Sequence, residues 1–122
     1  MQADKRGDST VTILEDGEMI TDTQTALDFI ADAQHFHDSK KMAVPMECLP
    51  DNFFDLKSGV AGDMLQKFVN YNCKVAIYGD HSKHKSKPLN DFIRESNAKG
   101  DHVVFPASKQ EALDALHDDK TK

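Results

Sequence analysis

The apolar run Val75-Ala76-Ile77-Tyr78 is followed directly by Gly79-Asp80. The run does not alternate between apolar and polar side chains, which is typical of a strand that is covered on both faces. Strands of this kind occur almost only in parallel sheets with helices on both sides. This short segment therefore predicts an α/β protein in which residues 75–78 form the central strand of the sheet.

Four other segments carry apolar residues at the three- and four-residue spacing of an amphipathic helix. They cover residues 22–39, 55–72, 86–99 and 108–117. Asp55 or Ser58 is the predicted N-cap of the second helix, because both side chains can accept a hydrogen bond from the first free N–H groups. Asn72 is expected to end that helix in the left-handed conformation.

Strand patterns fill the segments between these helices. Residues 10–14 and 18–20 flank Asp16-Gly17, a dipeptide that suits a tight turn, so the domain is predicted to open with a β-hairpin. Further strands are expected at 42–46, 75–78 and 102–105. The predicted order is β-β-α-β-α-β-α-β-α, which means a single α/β domain with a mostly parallel or mixed sheet flanked by helices.

The chain of 122 residues has the size of one ordinary domain. Residues 1–9 are polar and lack periodicity, so we expect a disordered N-terminal tail, a single domain over 10–117 and a frayed end over 118–122. No apolar run approaches the length of a membrane span, and the first residues lack the apolar stretch of a secretion signal. The sequence predicts a cytoplasmic protein that does not bind membranes.

A net charge of −6 at pH 7 opposes binding to the phosphate backbone of nucleic acids. The exception is a basic loop that contains Lys83, Lys85 and Lys87, which can meet a small anion. Cys48 and Cys73 lie far apart in the sequence and form no zinc-ligand spacing. No nucleic-acid partner, metal ion or cofactor is predicted.

Several motifs of the chain occur together in one known family. They include Phe53-Phe54-Asp55-Leu56-x-Ser58-Gly59-x-Ala61-Gly62-Asp63, Gly79-Asp80 and Asp91-Phe92-Ile93-x-Glu95-Ser96-Asn97. In combination they resemble the bacterial family called domain of unknown function 4180, over about residues 11–116. That family has no established activity, so the resemblance implies a fold and leaves the function open.

The order of strands and helices also resembles the STAS domains of anti-sigma-factor antagonists. Those domains carry a phosphorylatable serine in an Asp-Ser-Ser-Gly-Leu-like turn at the start of the helix after their third strand. Here Asp55-Leu56-Lys57-Ser58-Gly59-Val60 stands at the matching place, so the resemblance implies that Ser58 is the switch residue. A phosphate on Ser58 would lie against the free N–H groups of the second helix. The alternative is that Ser58 only caps that helix.

The first functional hypothesis is a non-enzymatic regulatory domain that binds a protein partner, or a second copy of itself, around Ser58. The predicted contact surface consists of Phe53, Phe54, Asp55, Lys57, Gly59, Gly62 and Asp63. Adjacent phenylalanines on a loop do not readily face one core, so either one of them is exposed as an apolar contact, or both fold under the end of the helix. The two glycines either expose backbone donors to an anion or permit close packing of the helix.

The alternative hypothesis is a small enzyme or a sensor for an anionic metabolite. Asp80 comes directly after a buried strand, and ligands bind at the carboxyl ends of strands in open α/β sheets. Gly79, Asp80, Ser82 and Lys85 therefore form the candidate cleft. A single aspartate after a strand is also a common turn residue. The sequence contains no paired catalytic groups, so no catalytic residue is predicted.

Overall fold

The computed structural model of the chain describes residues 1–81, 86–99 and 102–117. Their strands form one five-stranded sheet in which the strands stand side by side in chain order. They are β1 (Gln2–Arg6), β2 (Ser9–Ile13), β3 (Lys41–Pro45), β4 (Lys74–Tyr78) and β5 (Val103–Val104). β1 pairs antiparallel with β2, and the other neighbours pair in parallel. The prediction of a mixed, mostly parallel α/β sheet is confirmed.

Four helices alternate with the strands, in the predicted order. They are α1 (Thr23–His37), α2 (Val60–Asn70), α3 (Lys87–Lys99) and α4 (Lys109–His117). Three short 3₁₀ helices, Met46–Cys48, Asp51–Phe54 and Leu56–Ser58, carry the chain from β3 to α2. Asn72 follows α2 with a φ of 54°, which confirms the left-handed end predicted for that helix.

The sheet separates two apolar clusters. Buried residues of α1, α2 and α3 form the larger cluster with one face of the sheet, and α4 covers the other face. Side chains alternate between the two faces of a strand, so Val75 and Ile77 join the larger cluster while Ala76 lies under α4. This double cover explains why β4 is apolar without alternation, as the sequence predicted, although the middle strand of the five is β3 and not β4.

The first nine residues are not a disordered tail, so that prediction was wrong. Residues 2–6 form β1, and Gly7, with a φ of 61°, turns the chain into β2. β1 is a polar edge strand with mostly exposed side chains, so it has no apolar pattern to detect. Backbone pairing along all five residues of β2 holds it, and Arg6 Nη1 donates to Asp114 Oδ1 of α4 at 2.9 Å.

The predicted hairpin at Asp16-Gly17 was also wrong, although a turn is present there. Glu18 N donates to Glu15 O at 3.1 Å, but residues 18–20 form no strand. Both edges of β2 are already occupied, by β1 and β3. The returning chain therefore has no edge to pair with, and Ile20 N donates to Cys48 O instead, at 2.8 Å.

No helix within the described ranges combines the length and the apolar character needed to cross a membrane.

Candidate functional site

Ser58 lies at the entrance to α2 with its side chain exposed. Its Oγ is 2.7 Å from Asn52 O and 2.7 Å from Asp55 O, and it accepts a hydrogen bond from Val60 N at 3.2 Å. A hydroxyl has one proton, so it donates to one of the two carbonyls at a time. Ser58 thus connects two consecutive 3₁₀ helices to the first turn of α2.

The N-cap of α2 is Gly59, and neither predicted residue occupies that position. Gly59 has a φ of 78°, a left-handed conformation that glycine adopts without steric cost. Asp55 caps the preceding 3₁₀ helix, where its Oδ1 accepts from Lys57 N at 3.2 Å. The extra 3₁₀ turn moves the start of α2 beyond both side chains.

Phe53 and Phe54 are both buried, so of the two alternatives the structure has the one in which both fold under the end of the helix. The two rings pack edge to face with their centroids 5.1 Å apart, and both join the larger apolar cluster. The 3₁₀ helix that carries them folds under α2, which allows consecutive side chains to enter one core. They stabilise the loop and present no surface to a partner.

The remaining residues of the predicted contact surface are exposed. We call them, together with Ser58, the α2-entrance surface: Asp55, Lys57, Ser58, Gly59, Gly62 and Asp63. A Cβ added at Gly62 would meet no atom within 4 Å, so close helix packing does not require this glycine. The surface is polar and continuous in sequence, and it begins where the buried phenylalanines end.

At the end of β4, the side chain of Met46 already fills the space beside Gly79. A Cβ on Gly79 would lie 2.5 Å from both Cγ and Sδ of Met46, and Gly79 N donates to Pro106 O at 3.2 Å. Asp80 is exposed, whereas the predicted partners Ser82 and Lys85 lie outside the described residues. The five described strands never reverse their order, so they form no crevice of the switch-point type.

The family model described as Domain of unknown function (DUF4180) matches residues 5–116. The chain belongs to the DUF4180 family. The match covers most of the chain, including the whole α2-entrance surface, and confirms the family resemblance of the sequence motifs. No curated protein matches the chain.

The DUF4180 motif around Asn97 has a structural role. Asn97 Oδ1 accepts from Phe105 N at 2.7 Å, and Asn97 Nδ2 donates to Phe105 O at 3.4 Å. The amide therefore pairs with both backbone groups of the residue after β5, as another strand would. Asn97 thereby fixes the residue after the two-residue strand β5 to α3.

A second polar cluster in this DUF4180 domain was missed by the sequence analysis. Asp4, Ser9 and Lys41 lie on three neighbouring strands, and hydrogen bonds connect them through Ser9 and His117. His117 is separated from Ser9 by 108 residues in the chain. No local motif can show such a cluster, and Asp4 and Ser9 fell in the segment assigned to disorder.

Both cysteines are buried, free thiols. Burial, together with the nearby carboxylates of Asp16 and Glu47, raises the pKa of Cys48 to about 11. Burial raises the pKa of Cys73 to about 12. Within the described residues, no group of histidines, cysteines and carboxylates is placed to hold a metal ion.

We expect neither thiol to react with a disulfide reagent such as dithionitrobenzoate in the native protein at pH 8. A pKa of about 11 leaves roughly one thiolate in a thousand at that pH, and the thiolate is the reactive form. Both thiols should react at once in denaturant, which is the control for reagent activity. Rapid modification of one thiol in the folded protein would contradict the burial of both.

Proposed function

We propose that this DUF4180 domain is a STAS-like regulatory module that binds a protein partner, or a second copy of itself, through the α2-entrance surface. The order of elements and the position of Ser58 between β3 and α2 support the analogy. One observation carries the proposal. The single exposed hydroxyl of Ser58 ties Asn52, Asp55 and the start of α2 together.

Phosphorylation of Ser58 would change the shape of this surface. The ester oxygen of a phosphoserine has no proton to donate, so the hydrogen bond to Asn52 O or Asp55 O would be lost. The two carbonyls would then compete for water, and the 3₁₀ turn that precedes α2 would loosen. A phosphate on the Ser58 oxygen would therefore change the backbone conformation both before and after Ser58.

Phosphorylation would also change the charge of the surface. It adds about −1.5 to −2 charges next to three exposed carboxylates, those of Asp51, Asp55 and Asp63, with Lys57 as the nearby cation. Because like charges repel, an acidic partner would be released and a basic partner would bind more tightly. The free N–H groups of α2 would attract the phosphate and hold it at the surface.

A Ser58→Asp variant tests the switch. We expect affinity capture from the native host, read by mass spectrometry, to recover a partner with the wild type and to lose it with Ser58→Asp. Ser108→Asp is the matched control, because Ser108 is an exposed serine at the start of a different helix and accepts a hydrogen bond from Glu111 N. Size-exclusion chromatography with light scattering measures whether the wild type, Ser58→Asp and Ser108→Asp self-associate.

Ser108→Asp should retain the partner, or the dimer, of the wild type. Equal enrichment by all three proteins, or no enrichment and no self-association by any of them, would overturn the proposal. Thermal unfolding of each variant separates loss of binding from loss of structure, since Ser58→Asp removes one hydrogen bond and should cost only about 1 kcal/mol.

The alternative function is a sensor for a small anion at Gly79-Asp80. It predicts that a phosphorylated or carboxylated metabolite near saturation raises the free energy of unfolding by a few kcal/mol or less. A thermal-shift screen of such metabolites measures this directly. A screen without any shift would leave this alternative without support.

A further inference from the structure

Three neighbouring strands each place one polar side chain on the α4 face, near the amino ends of β2 and β3. Asp4 of β1 is paired with Val11 of β2, Ser9 begins β2 and Lys41 begins β3. His117, in the last turn of α4, inserts among them with its side chain only 3% exposed. Ser9 and Lys41 are partly exposed, so the cluster borders on solvent at this edge of the sheet.

The hydrogen bonds of this cluster have a defined direction. His117 Nε2 is 2.8 Å from Asp4 Oδ2, and a carboxylate only accepts, so Nε2 carries a proton. In the neutral imidazole Nδ1 is then the acceptor, and Ser9 Oγ, 2.8 Å away, donates to it. Lys41 Nζ donates to the same Ser9 Oγ at 3.1 Å.

These contacts are the arrangement that activates a hydroxyl group. A nucleophile lies within hydrogen-bond distance of a base, and a third group orients the base. The same constellation recurs on unrelated folds, in different chain orders, and is recognised by its geometry. Here a cation on the nucleophilic oxygen is added, which stabilises negative charge that develops there.

We propose that Ser9 is the nucleophile of an ester-hydrolysing site, with His117 as its base and Asp4 as the positioning residue. This activity is separate from the regulatory function proposed above, because it uses the opposite face of the sheet. The chemistry of this site differs from that of a purely structural contact between a helix and a strand. A structural contact needs hydrogen bonds of any direction, whereas with a neutral His117 the donors run from Lys41 through Ser9 and His117 to Asp4, so the serine proton points at the base.

The reaction balances with water as the sole co-reactant. Ser9 Oγ bonds to the ester carbonyl carbon while its proton passes to His117 Nδ1. The tetrahedral adduct then breaks its bond to the leaving alcohol, which takes that proton. Water gives a proton to the same nitrogen, attacks the acyl-serine and releases the acid, and the proton returns to Ser9 Oγ.

The charges around Ser9 favour a substrate with an anionic group. Lys74 is the partner of Lys41 in the pairing of β3 with β4, so two cationic side chains project from the same face of adjacent strands. Lys41 would meet the oxyanion of the adduct, because it already lies beside the attacking oxygen. The substrate class is therefore a small carboxylic ester that also carries a carboxylate or phosphate.

A fluorophosphonate probe tests the nucleophile directly. We expect one adduct, at Ser9, when the full chain is incubated with the probe and mapped by peptide mass spectrometry. Ser58 is the internal control, since its hydroxyl faces backbone carbonyls and no base. Removal of the base in His117→Ala should slow labelling by roughly 100-fold or more, and added imidazole should restore it, which a purely structural role would not allow.

Two further measurements keep the proposal falsifiable if His117→Ala does not fold. In Ser9→Cys the introduced thiol should react with iodoacetamide at neutral pH, whereas Cys48 and Cys73, with pKa values of about 11 and about 12, should not. The wild type should also hydrolyse 4-acetoxy-3-nitrobenzoate, which carries a carboxylate, faster than neutral 4-nitrophenyl acetate, and Ser9→Ala should hydrolyse neither above background. An unlabelled Ser9, under conditions that fully label chymotrypsin, together with an unreactive thiol in Ser9→Cys, would overturn the proposal.

Discussion

Replacement of Phe53 by alanine is expected to lower the free energy of unfolding by about 3–5 kcal/mol, the usual cost of removing a buried aromatic side chain. Phe53 is 1% exposed and packs against Phe54 within the larger apolar cluster. Phe53 is among the largest fully buried side chains of the described residues, so its removal leaves a large cavity in this cluster. Urea denaturation monitored by circular dichroism measures the loss.

Phe36→Ala is the matched control, because Phe36 is 67% exposed on α1. Its stability should remain within about 0.5 kcal/mol of the wild type. If Phe53→Ala were as stable as Phe36→Ala, Phe53 would have to be a surface residue, as the sequence analysis allowed. The comparison also guides binding studies, since a Phe53 variant loses binding through unfolding and cannot be used to map a contact surface.

Gly79→Ala is expected to destabilise the protein by at least about 2 kcal/mol, from backbone strain of about 1–3 kcal/mol and overpacking of a similar size. The φ of Gly79 is 147°, which side chains rarely permit, and its Cβ would collide with the side chain of Met46. Thermal unfolding followed by calorimetry measures the effect. A second substitution, Met46→Ala, should relieve the collision and leave the backbone strain.

Gly62→Ala provides a control of opposite sign. Gly62 lies in the first turn of α2 with empty space around its Cα, so alanine there should stabilise the protein by about 0.5–1 kcal/mol. Equal melting temperatures for Gly79→Ala and Gly62→Ala would contradict the conformation described for the end of β4. The pair therefore tests whether the Gly79-Asp80 motif is needed for the fold, independently of any ligand.

Local patterns predicted most of the regular structure. The first predicted helical segment starts at residue 22, and Asp22 is the N-cap of α1, where its Oδ1 accepts from Thr25 N at 2.8 Å. The apolar residues of α1, α2 and β4 face the core as their spacing predicted, because helical and strand periodicity express which side of an element is buried.

The errors arose where partners distant in sequence decide the structure. β1 has no apolar residue except Ala3, and its strand conformation depends on pairing with β2 and on contacts with α4. The turn at Asp16-Gly17 has residues that suit a hairpin. Because β2 already pairs with β1 and β3, the chain that follows the turn finds no free edge of β2. Turn propensity locates the turn correctly, but it does not show which strand edges are already paired.

The candidate sites were predicted unevenly for the same reason. The α2-entrance surface follows from one continuous segment, so its exposed residues could be identified by position, although the burial of both Phe53 and Phe54 could not. The cluster of Asp4, Ser9 and His117 combines opposite ends of the chain. Hydrogen bonds across 108 and 113 residues appear only when the helix is docked on the sheet.

The position of α4 after the five described strands has a consequence for synthesis in the cell. The ribosome delivers these strands before Lys109–His117, so the layer of α1, α2 and α3 can assemble while Val11, Ile13, Ala43 and Ala76 still face water. A nascent sheet with one bare apolar face is prone to aggregate or to recruit a chaperone. A chain that stops before Ser108 would keep this face of the sheet uncovered, because α4 supplies Ala112, Leu113 and Leu116 to the cluster on that side.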